Sequence, residues 1–539
     1  MTKRFITIFF IVLGVMMFLI TSFFLVLFLA PGFSAFGMKY IAIGTRAYNS
    51  GLVNIHDEIG SFSGSIILNC NEVPVYVEFT ENASYQVQYV EDYSGITRTD
   101  IEKPTLKVKK DSKGNAVITV VGFEKFLFKN ANTDRYVNLY IPLTGVSTAS
   151  TSFRKDLVIN SKSSEIHFSK EDETDLRIPQ LNIISVKTSG KVSFDTYVKT
   201  MTYKYESPNT IFIDKENKLA PDSSSYTLKS EKGKIVVKKE VSGDLNLTTN
   251  NASVSLISCR NLKTRTGFGS VKCFISGKKI NTTGSVNIKT SAGKVTLGEV
   301  LGGAESLIET GSGSVKIDSI KKVSITTKSG DVTIKSLTEA KIVTNLGTID
   351  VEECLSKINI DAKRGNVLLG GSGMTMNNAT VFAKLGKIKM FSASENVDIQ
   401  TVKGNIEFTN KDSKNIKIVS GGKLTAKNLT GKVDITSAKD TELSFSNVTD
   451  TSNISLGDKC KKLVIWAVSN TKGNTRYSIS GKSATRWEDN ANNTGTYSKV
   501  ESSPNGLVNR LTGTEPLITA NGKNADIHIY LKSESEDLD

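Results

Sequence analysis

Histidine is scarce in this chain, which has three histidines among 539 residues. His56, His167 and His528 are far apart in the sequence. A zinc site or a catalytic triad needs a histidine close to suitable partners, and the sequence shows no such constellation. We therefore interpret each of the three as a lone surface histidine. The sequence predicts no catalytic residue, no cofactor and no metal ion.

Cysteine is also rare. The chain contains Cys70, Cys259, Cys273, Cys354 and Cys460. An odd number without CxxC spacing argues against both a secreted disulfide scaffold and the common zinc motifs. Cys273 stands where other repeats carry Ile or Leu, which indicates a buried thiol. A bridge between Cys259 and Cys273 is the alternative.

Concentrated basic runs are missing, although the formal net charge is +14. Removing Lys3 and Arg4 leaves +12 on the rest of the chain. Spread lysines without a recognition motif are typical of a solvated surface, so we expect no nucleic-acid partner. Outside a bacterial cell, such a surface would be weakly attracted to anionic lipid headgroups and wall polymers.

A long uncharged run is present at the N-terminus, from Phe5 to Ala30. Residues 5–30 are enough to cross a lipid bilayer, which needs about 20 apolar residues. A cleavable signal peptide is the competing interpretation, but its apolar region is shorter and small residues follow it. Lys3 and Arg4 before the run favour a cytoplasmic N-terminus. We expect an uncleaved, single-pass anchor in the cell membrane and an extracytoplasmic C-terminal body.

The rest of the chain repeats itself. GDVTI at Gly330 returns as GTIDV at Gly347, and similar segments begin at Gly313, Gly365, Gly386, Gly404 and Gly422. Each period holds two short segments in which apolar and polar residues alternate, as in β-strands with one buried face. Such a unit buries its apolar face only by stacking on identical units. The sequence predicts an all-β fold, a parallel β-solenoid (β-helix) with about 18 residues per coil and with glycine at the corner because it tolerates positive φ.

The outward positions of neighbouring coils carry opposite charges. We expect Lys389 to lie beside Glu407, and Lys417 between Asp398 and Asp434, because stacked coils place these residues on adjacent strands.

The domain organisation follows from where the repeat is regular. An irregular, antiparallel β region is expected before the solenoid, and a β cap that covers its open end is expected after it. The predicted segments are 1–38 (cytoplasmic N-terminus and transmembrane anchor), 39–180 (juxtamembrane β region), 181–456 (β-solenoid), 457–532 (C-terminal β cap) and 533–539 (acidic tail).

The anchor followed by Gly-x-Val/Ile-x-Ile strands resembles the bacterial putative-adhesin family of membrane-anchored β-solenoid surface proteins. The resemblance covers about residues 190–455. It implies a role at the cell envelope, in adhesion or in sensing wall stress, and it supplies no catalytic residues.

Two groups of residues are candidates for a site. Asp350, Glu352 and Glu353 form the densest acidic group in the repeats, which a carbohydrate-active enzyme would need on one face, although a solvated corner explains them as well. Aromatic residues that could stack on sugars, or pack in the core, gather before and within the first coils. They are Tyr89, Tyr93, Phe123, Phe126, Phe128, Tyr197, Tyr203, Tyr205 and Phe212.

The sequence favours a non-catalytic, membrane-anchored cell-surface β-solenoid that acts as an adhesin-like binding or scaffold protein. The expected partners are the lipid bilayer through residues 5–30 and an anionic cell-wall polymer, a polysaccharide or another envelope protein. A self-assembling structural solenoid and a carbohydrate-active β-helix enzyme are the alternatives.

Overall fold

The computed structural model describes residues 2–29, 41–98, 104–122, 133–144, 155–170, 178–194, 202–213, 225–241, 243–273, 284–370, 376–391, 395–446, 450–469, 476–489, 497–504, 506–511 and 517–533. These ranges contain the helices α1 (Thr2–Leu29) and α2 (Ile55–Ile59) and strands that we number β1–β42 in chain order. The chain forms two compact units, an N-terminal unit Met1–Lys229 and a C-terminal unit Ser230–Asp539. The domain boundaries expected from the sequence stay predictions.

The strands up to the boundary between the units are β1 (Ile41–Asn49), β2 (Val53–Asn54), β3 (Ile66–Cys70), β4 (Val75–Thr80), β5 (Gln86–Arg98), β6 (Thr105–Lys110), β7 (Ala116–Val121), β8 (Thr133–Thr144), β9 (Lys155–Ser161), β10 (Ile166–Lys170), β11 (Ile178–Pro179), β12 (Leu181–Lys187), β13 (Val192–Phe194), β14 (Thr202–Ser207), β15 (Ile211–Ile213) and β16 (Ser225–Ser230).

The remaining strands are β17 (Ile235–Glu240), β18 (Leu245–Thr249), β19 (Val254–Ser258), β20 (Leu262–Thr266), β21 (Val271–Cys273), β22 (Val286–Thr290), β23 (Val295–Val300), β24 (Ser306–Thr310), β25 (Val315–Thr327), β26 (Val332–Leu346), β27 (Ile349–Arg364), β28 (Val367–Leu369), β29 (Asn378–Ala383), β30 (Ile388–Phe391), β31 (Asn396–Thr401), β32 (Ile406–Thr409), β33 (Asn415–Ser420), β34 (Leu424–Leu429), β35 (Lys432–Ser437), β36 (Thr441–Phe445), β37 (Ser452–Leu456), β38 (Lys462–Ser469), β39 (Arg476–Asp489), β40 (Tyr497–Ser503), β41 (Leu507–Arg510) and β42 (Leu517–Ser533).

Helix α1 contains the apolar stretch Ile6–Phe23, none of which is buried. This stretch is long and apolar enough to cross a membrane. A signal sequence near the N-terminus has the same features, so the helix by itself is compatible with both.

The fold is nearly all β, a parallel β-solenoid of about twelve turns, as the repeat predicts. In the C-terminal unit, each coil contributes one strand to each of two parallel sheets. The first sheet holds the strands that follow the corner glycines, such as 332–337, and the second holds the strands that precede the next corner, such as 340–344. Strands β25, β26 and β27 run through both sheets without a break.

The register reproduces the spacing of the glycines. Val315 pairs with Val332, Val332 with Ile349 and Ile349 with Val367, which are steps of 17, 17 and 18 residues. Other coils are longer, for example 24 residues between Val271 and Val295, and the coil length over the whole solenoid is roughly 20 residues. Within a strand, side chains alternate as predicted. Val332 and Ile334 are fully buried, and Thr333 between them is half-buried.

The corner glycines are needed for a different reason from the one the sequence suggested. Of the seven glycines in the ladder, only Gly347 has a φ in the left-handed region, at 129°. A Cβ atom on Gly330 would lie 2.0 Å from the carbonyl oxygen of Gly313, and one on Gly386 would lie 1.6 Å from that of Gly365. Glycine is required because consecutive coils touch backbone to backbone at this corner.

A hydroxyl three residues before most of these glycines closes the same corner. The Gly330 N–H donates to Thr327 Oγ1 at 3.0 Å, and Thr401 Oγ1 donates to the Gly404 carbonyl at 2.8 Å. These threonines are buried, and their hydrogen bonds satisfy backbone groups that the turn leaves unpaired.

The β region expected at residues 39–180 is only partly antiparallel, so that expectation is wrong in part. Strands β1, β2 and β8 pair antiparallel with β5, but β4 pairs parallel with both β8 and β10, and β3 pairs parallel with β7 and β9. Alternating apolar residues are the same in parallel and antiparallel strands, so the pattern does not encode strand direction.

The C-terminal strand is inserted out of chain order. Strand β42 pairs parallel with β38 on one side and with β39 on the other. The far edge of β39 pairs antiparallel with β40 and β41. Arg486 on β39 lies opposite the buried Ile529 and forms an ion pair with Glu488, from Nη1 to Oε1 at 2.7 Å. The described strands β38, β39 and β42 therefore extend the parallel pairing, and β40 and β41 cover its last edge with antiparallel strands.

Candidate binding groove

Two rows of outward side chains run across the second sheet of the C-terminal unit. The first row stands at the start of each strand, at Lys322, Glu339, Lys357, Asn378, Asn396, Asn415 and Lys432. The second row stands two residues further on, at Ser324, Lys341, Asn359, Thr380, Asp398, Lys417 and Asp434. Between them lies a row of small or branched apolar residues that are buried, such as Ala340 and Val397.

Two open depressions lie on these rows. One, of about 520 Å³, is lined by Gly303, Glu305, Lys322, Val323, Glu339, Ala340, Lys341, Lys357 and Asn359. The other, of about 250 Å³, is lined by Asn378, Ala379, Thr380, Asn396, Val397, Asp398, Asn415, Ile416, Lys417 and Lys432. Since Lys357 and Asn378 are register partners, the depressions occupy neighbouring coils. We call the two together the polar groove; at about 4.8 Å per strand, the first row is about 29 Å long.

The middle of the polar groove is an asparagine ladder. Asn396 Nδ2 donates to Asn378 Oδ1 at 2.8 Å, and Asn415 Nδ2 donates to Asn396 Oδ1 at 2.9 Å. An amide has two N–H donors and an oxygen with two lone pairs, and the ladder uses one donor and one acceptor of Asn396. Each ladder amide therefore keeps hydrogen-bonding capacity for a ligand, in a fixed orientation.

Charges in the polar groove nearly balance. Five lysines and three carboxylates line the two depressions. Lys322 Nζ lies 3.3 Å from Glu339 Oε1, and Lys417 Nζ lies 3.9 Å from Asp398 Oδ2. The predicted contact between Lys417 and Asp398 is confirmed. Glu407 is the register partner of Lys389 as expected, but its ion pair is with Lys387, because a lysine side chain can reach diagonally across the corner.

The acidic residues singled out in the sequence lie elsewhere. Asp350 is on the first sheet, opposite Thr333 and Leu368, and Glu353 is opposite Ser336. Asp350, Glu352 and Glu353 line neither depression. The structure thus does not bring them into the polar groove.

Three of the aromatic residues named from the sequence have described side chains, and two of these are in the core. Tyr89 and Tyr203 are buried, as their interpretation as core residues predicts, and Tyr205 is half-buried. Phe123, Phe126, Phe128 and Tyr197 lie outside the described residues, as do the side chains of Tyr93 and Phe212.

His167 is not a lone surface histidine, so that interpretation is wrong. Its Nδ1 is 2.6 Å from Ser193 Oγ, its Nε2 is 3.7 Å from Glu165 Oε2, and its ring stacks on Tyr76. Register explains this cluster, since Tyr76, His167 and Ser193 occupy the same position on three parallel strands. Sequence distance concealed it.

A second aromatic cluster stands on the last coils. Trp466, Tyr530 and Trp487 stack in register on β38, β42 and β39, with ring centroids 4.3 and 5.8 Å apart, and Tyr497 packs edge-on against Tyr530. The rings face one another, so their stacking mainly holds the inserted strand in place. Among the described residues, no group of three or more His, Cys, Asp or Glu is arranged to hold a metal ion.

The fold and this surface define a class, a parallel β-solenoid with a polar groove along one sheet. No protein-family model and no curated protein matches the chain. The structure is similar to the crystal structure of a putative adhesin from Parabacteroides merdae, at 9% sequence identity, with 71% of this chain and 96% of that chain covered and a TM-score of 0.14. At this level of similarity the comparison assigns no function.

Proposed function

We propose that the chain is a non-catalytic, adhesin-like binding or scaffold protein, anchored in the cell membrane with its body outside, and that its polar groove binds a linear polysaccharide. Membership of the bacterial putative-adhesin family is part of this proposal. The carrying observation is the asparagine ladder within a groove whose first row of side chains crosses seven coils.

The chemistry of the polar groove favours an uncharged or weakly charged polymer. The three ladder amides stand at one height on successive strands and offer donors and acceptors at a regular spacing, which suits a chain of similar sugar units. Each contact is weak, but many contacts on one polymer add up to firm attachment. Because carboxylates nearly balance the lysines of the polar groove, a strongly anionic wall polymer is attracted to it only weakly.

The alternatives have less support. The acidic trio at Asp350 lines neither depression, which disfavours the carbohydrate-active enzyme. End-to-end assembly needs an open strand edge, and β40 and β41 pair with the far edge of β39. Helix α1 supports membrane anchoring by its length and composition.

The test is affinity electrophoresis of the full chain, in mild detergent, through gels that contain a soluble linear glucan or solubilised peptidoglycan glycan strands. Retention is expected on at least one polysaccharide, and it should persist at high salt. The variant Asn378→Ala/Asn396→Ala/Asn415→Ala should bind about tenfold more weakly, since three weak hydrogen-bonding groups are lost.

The matched control changes three outward threonines of the first sheet, Thr296→Ala/Thr333→Ala/Thr425→Ala, and should bind like the native chain. No retention on any polysaccharide, or equal loss in both variants, would contradict the proposal. Binding to an envelope protein instead would replace the polysaccharide with that partner.

A further inference from the structure

The corner between the second sheet and the first carries a row of unpaired cations. Lys328, Lys384 and Lys403 lie in short turns and Lys363 and Arg364 at the end of β27, on four of five consecutive coils, and all five are exposed. Their turns stack directly, because the Leu346 N–H donates to the Lys328 carbonyl at 3.0 Å and the Lys403 N–H to the Lys384 carbonyl at 3.1 Å. Across the part of the chain that the structure describes, none of these five side chains lies within 4.0 Å of a carboxylate oxygen.

The same corner exposes apolar side chains. Leu346, Leu385 and Val402 are 46%, 43% and 48% exposed. Leu346 lies on the coil between Lys328 and Arg364, and Leu385 and Val402 each adjoin a cation in the same turn. Scattered exposed leucines are ordinary on a protein surface, but these share one corner of adjacent coils with five cations. We call this surface, from Lys328 to Lys403, the corner ridge.

We propose that the corner ridge docks on the surface of an anionic lipid bilayer, with its cations on the headgroup phosphates and its three apolar side chains in the interface. This goes beyond the proposed function, because the corner ridge and the polar groove stand at opposite ends of the second-sheet strands. The polysaccharide would then bind a body that is held against the membrane.

A bilayer fits better than a soluble anionic polymer. Both would pair with the cations through phosphate groups, but only a bilayer gives the exposed Leu346, Leu385 and Val402 an apolar environment. Basic residues near an anionic membrane surface are attracted in proportion to their number, and salt weakens this attraction.

The experiment uses the full chain reconstituted into liposomes, with a fluorophore at Leu385→Cys and quencher groups on the lipid headgroups. The five native cysteines are buried, so the introduced thiol is labelled selectively. The matched control is Leu355→Cys, a leucine with 46% exposure at the opposite corner of the coil. Liposomes of phosphatidylglycerol and phosphatidylcholine are compared with phosphatidylcholine alone.

We expect strong quenching at residue 385 in the anionic liposomes, little at residue 355, and loss of the difference at high salt. Reversing three charges of the corner ridge, Lys363→Glu/Arg364→Glu/Lys384→Glu, should reduce quenching at 385 to the level of residue 355. The same charge change on the first and second sheets, Lys263→Glu/Lys272→Glu/Lys316→Glu, should leave quenching at 385 largely intact.

Equal quenching at the two sites, or quenching at 385 that does not depend on the anionic lipid, would overturn the proposal. A change in fluorescence at 385 on adding soluble polyphosphate to the chain in detergent, without a difference between liposomes, would assign the corner ridge to an anionic polymer instead. Neither result bears on glucan binding by the polar groove.

Discussion

The close approach of coils at the glycine corner predicts the cost of adding a single methyl group. In Gly386→Ala, the new Cβ would lie 1.6 Å from the carbonyl oxygen of Gly365 and 2.4 Å from the carbonyl carbon of the same residue. Real Cβ atoms essentially never come within 3.0 Å of another heavy atom. The two coils must therefore move apart by about 1.4 Å at this corner, because neither atom is on a flexible side chain.

The magnitude follows from what this movement disturbs. Overpacking a well-packed site costs about 1–3 kcal/mol, and the neighbouring coil-to-coil hydrogen bond from the Lys384 N–H to the Ala362 carbonyl, at 2.8 Å, is weakened as well. Since one such bond contributes about 1 kcal/mol, we expect Gly386→Ala to lower the free energy of unfolding by about 3 kcal/mol.

The assay is urea unfolding of the full chain in detergent, with hydrogen exchange and mass spectrometry to show which coils open. Gly303→Ala is the matched control, because a Cβ there has nothing within 4 Å. Gly51→Ala tests positive φ alone, since its φ is 69° and its surroundings are open. We expect local loss of protection around residues 362–388 for Gly386→Ala only. If Gly386→Ala destabilised no more than Gly303→Ala, the argument from coil contact would be refuted.

Three further predictions concern cysteine, histidine and serine. Burial raises the pKa of Cys259 to about 12 and that of Cys273 well above its ordinary value. Iodoacetamide should therefore leave both thiols unmodified in the native chain and alkylate both in denaturant. If both resisted alkylation in denaturant without reductant, they would instead form a disulfide. Burial lowers the pKa of His528 below 6.5, so its contribution to stability is present above that pH and is lost as the pH falls through the lowered value. The protection of the β42 amides, corrected for the slower intrinsic exchange at lower pH, should therefore decrease as the pH falls below about 6.5, and less so in His528→Gln. A pH dependence unchanged by that substitution but changed by His56→Gln would contradict this. A fluorophosphonate probe should not label Ser193, which is 8% exposed on a sheet surface, and its labelling would contradict the non-catalytic proposal.

The solenoid could be predicted from the sequence because the glycine period indicates the coil length and the apolar alternation indicates which side chains are buried. Val332 and Ile334 point inward for the reason that the pattern gives, and the register advances in the same steps as the glycines. The reason for the glycines could not be predicted in the same way. Close contact between Gly330 and Gly313 depends on how coils stack, whereas positive φ is a property of one residue.

The polar groove could have been predicted by comparing the sequences of the second-sheet strands with one another. Asparagine opens three consecutive strands of the second sheet, in NATV at Asn378, NVDI at Asn396 and NIKI at Asn415. Alignment on the glycines alone does not bring these residues into register, because the step from Val367 to Ile388 is 21 residues whereas the steps on either side are 18.

Strand order at the C-terminus was beyond sequence reasoning. The pairing of β42 between β38 and β39 leaves no periodic trace, since β42 alternates like any other strand. The cluster of Tyr76, His167 and Ser193 was hidden for a similar reason, because it depends on parallel pairing of strands that are far apart in the chain.

The central claim is that the polar groove holds the polysaccharide, and lysine acetylation of the full chain tests it most directly. Lys341, Lys357 and Lys432 line the groove, whereas Lys272 and Lys316 are exposed on the first sheet and serve as internal controls. With a polysaccharide that retains the chain in electrophoresis, we predict slower acetylation of the groove lysines and unchanged acetylation of the controls. Equal protection of both sets, or protection of the first sheet alone, would contradict the account.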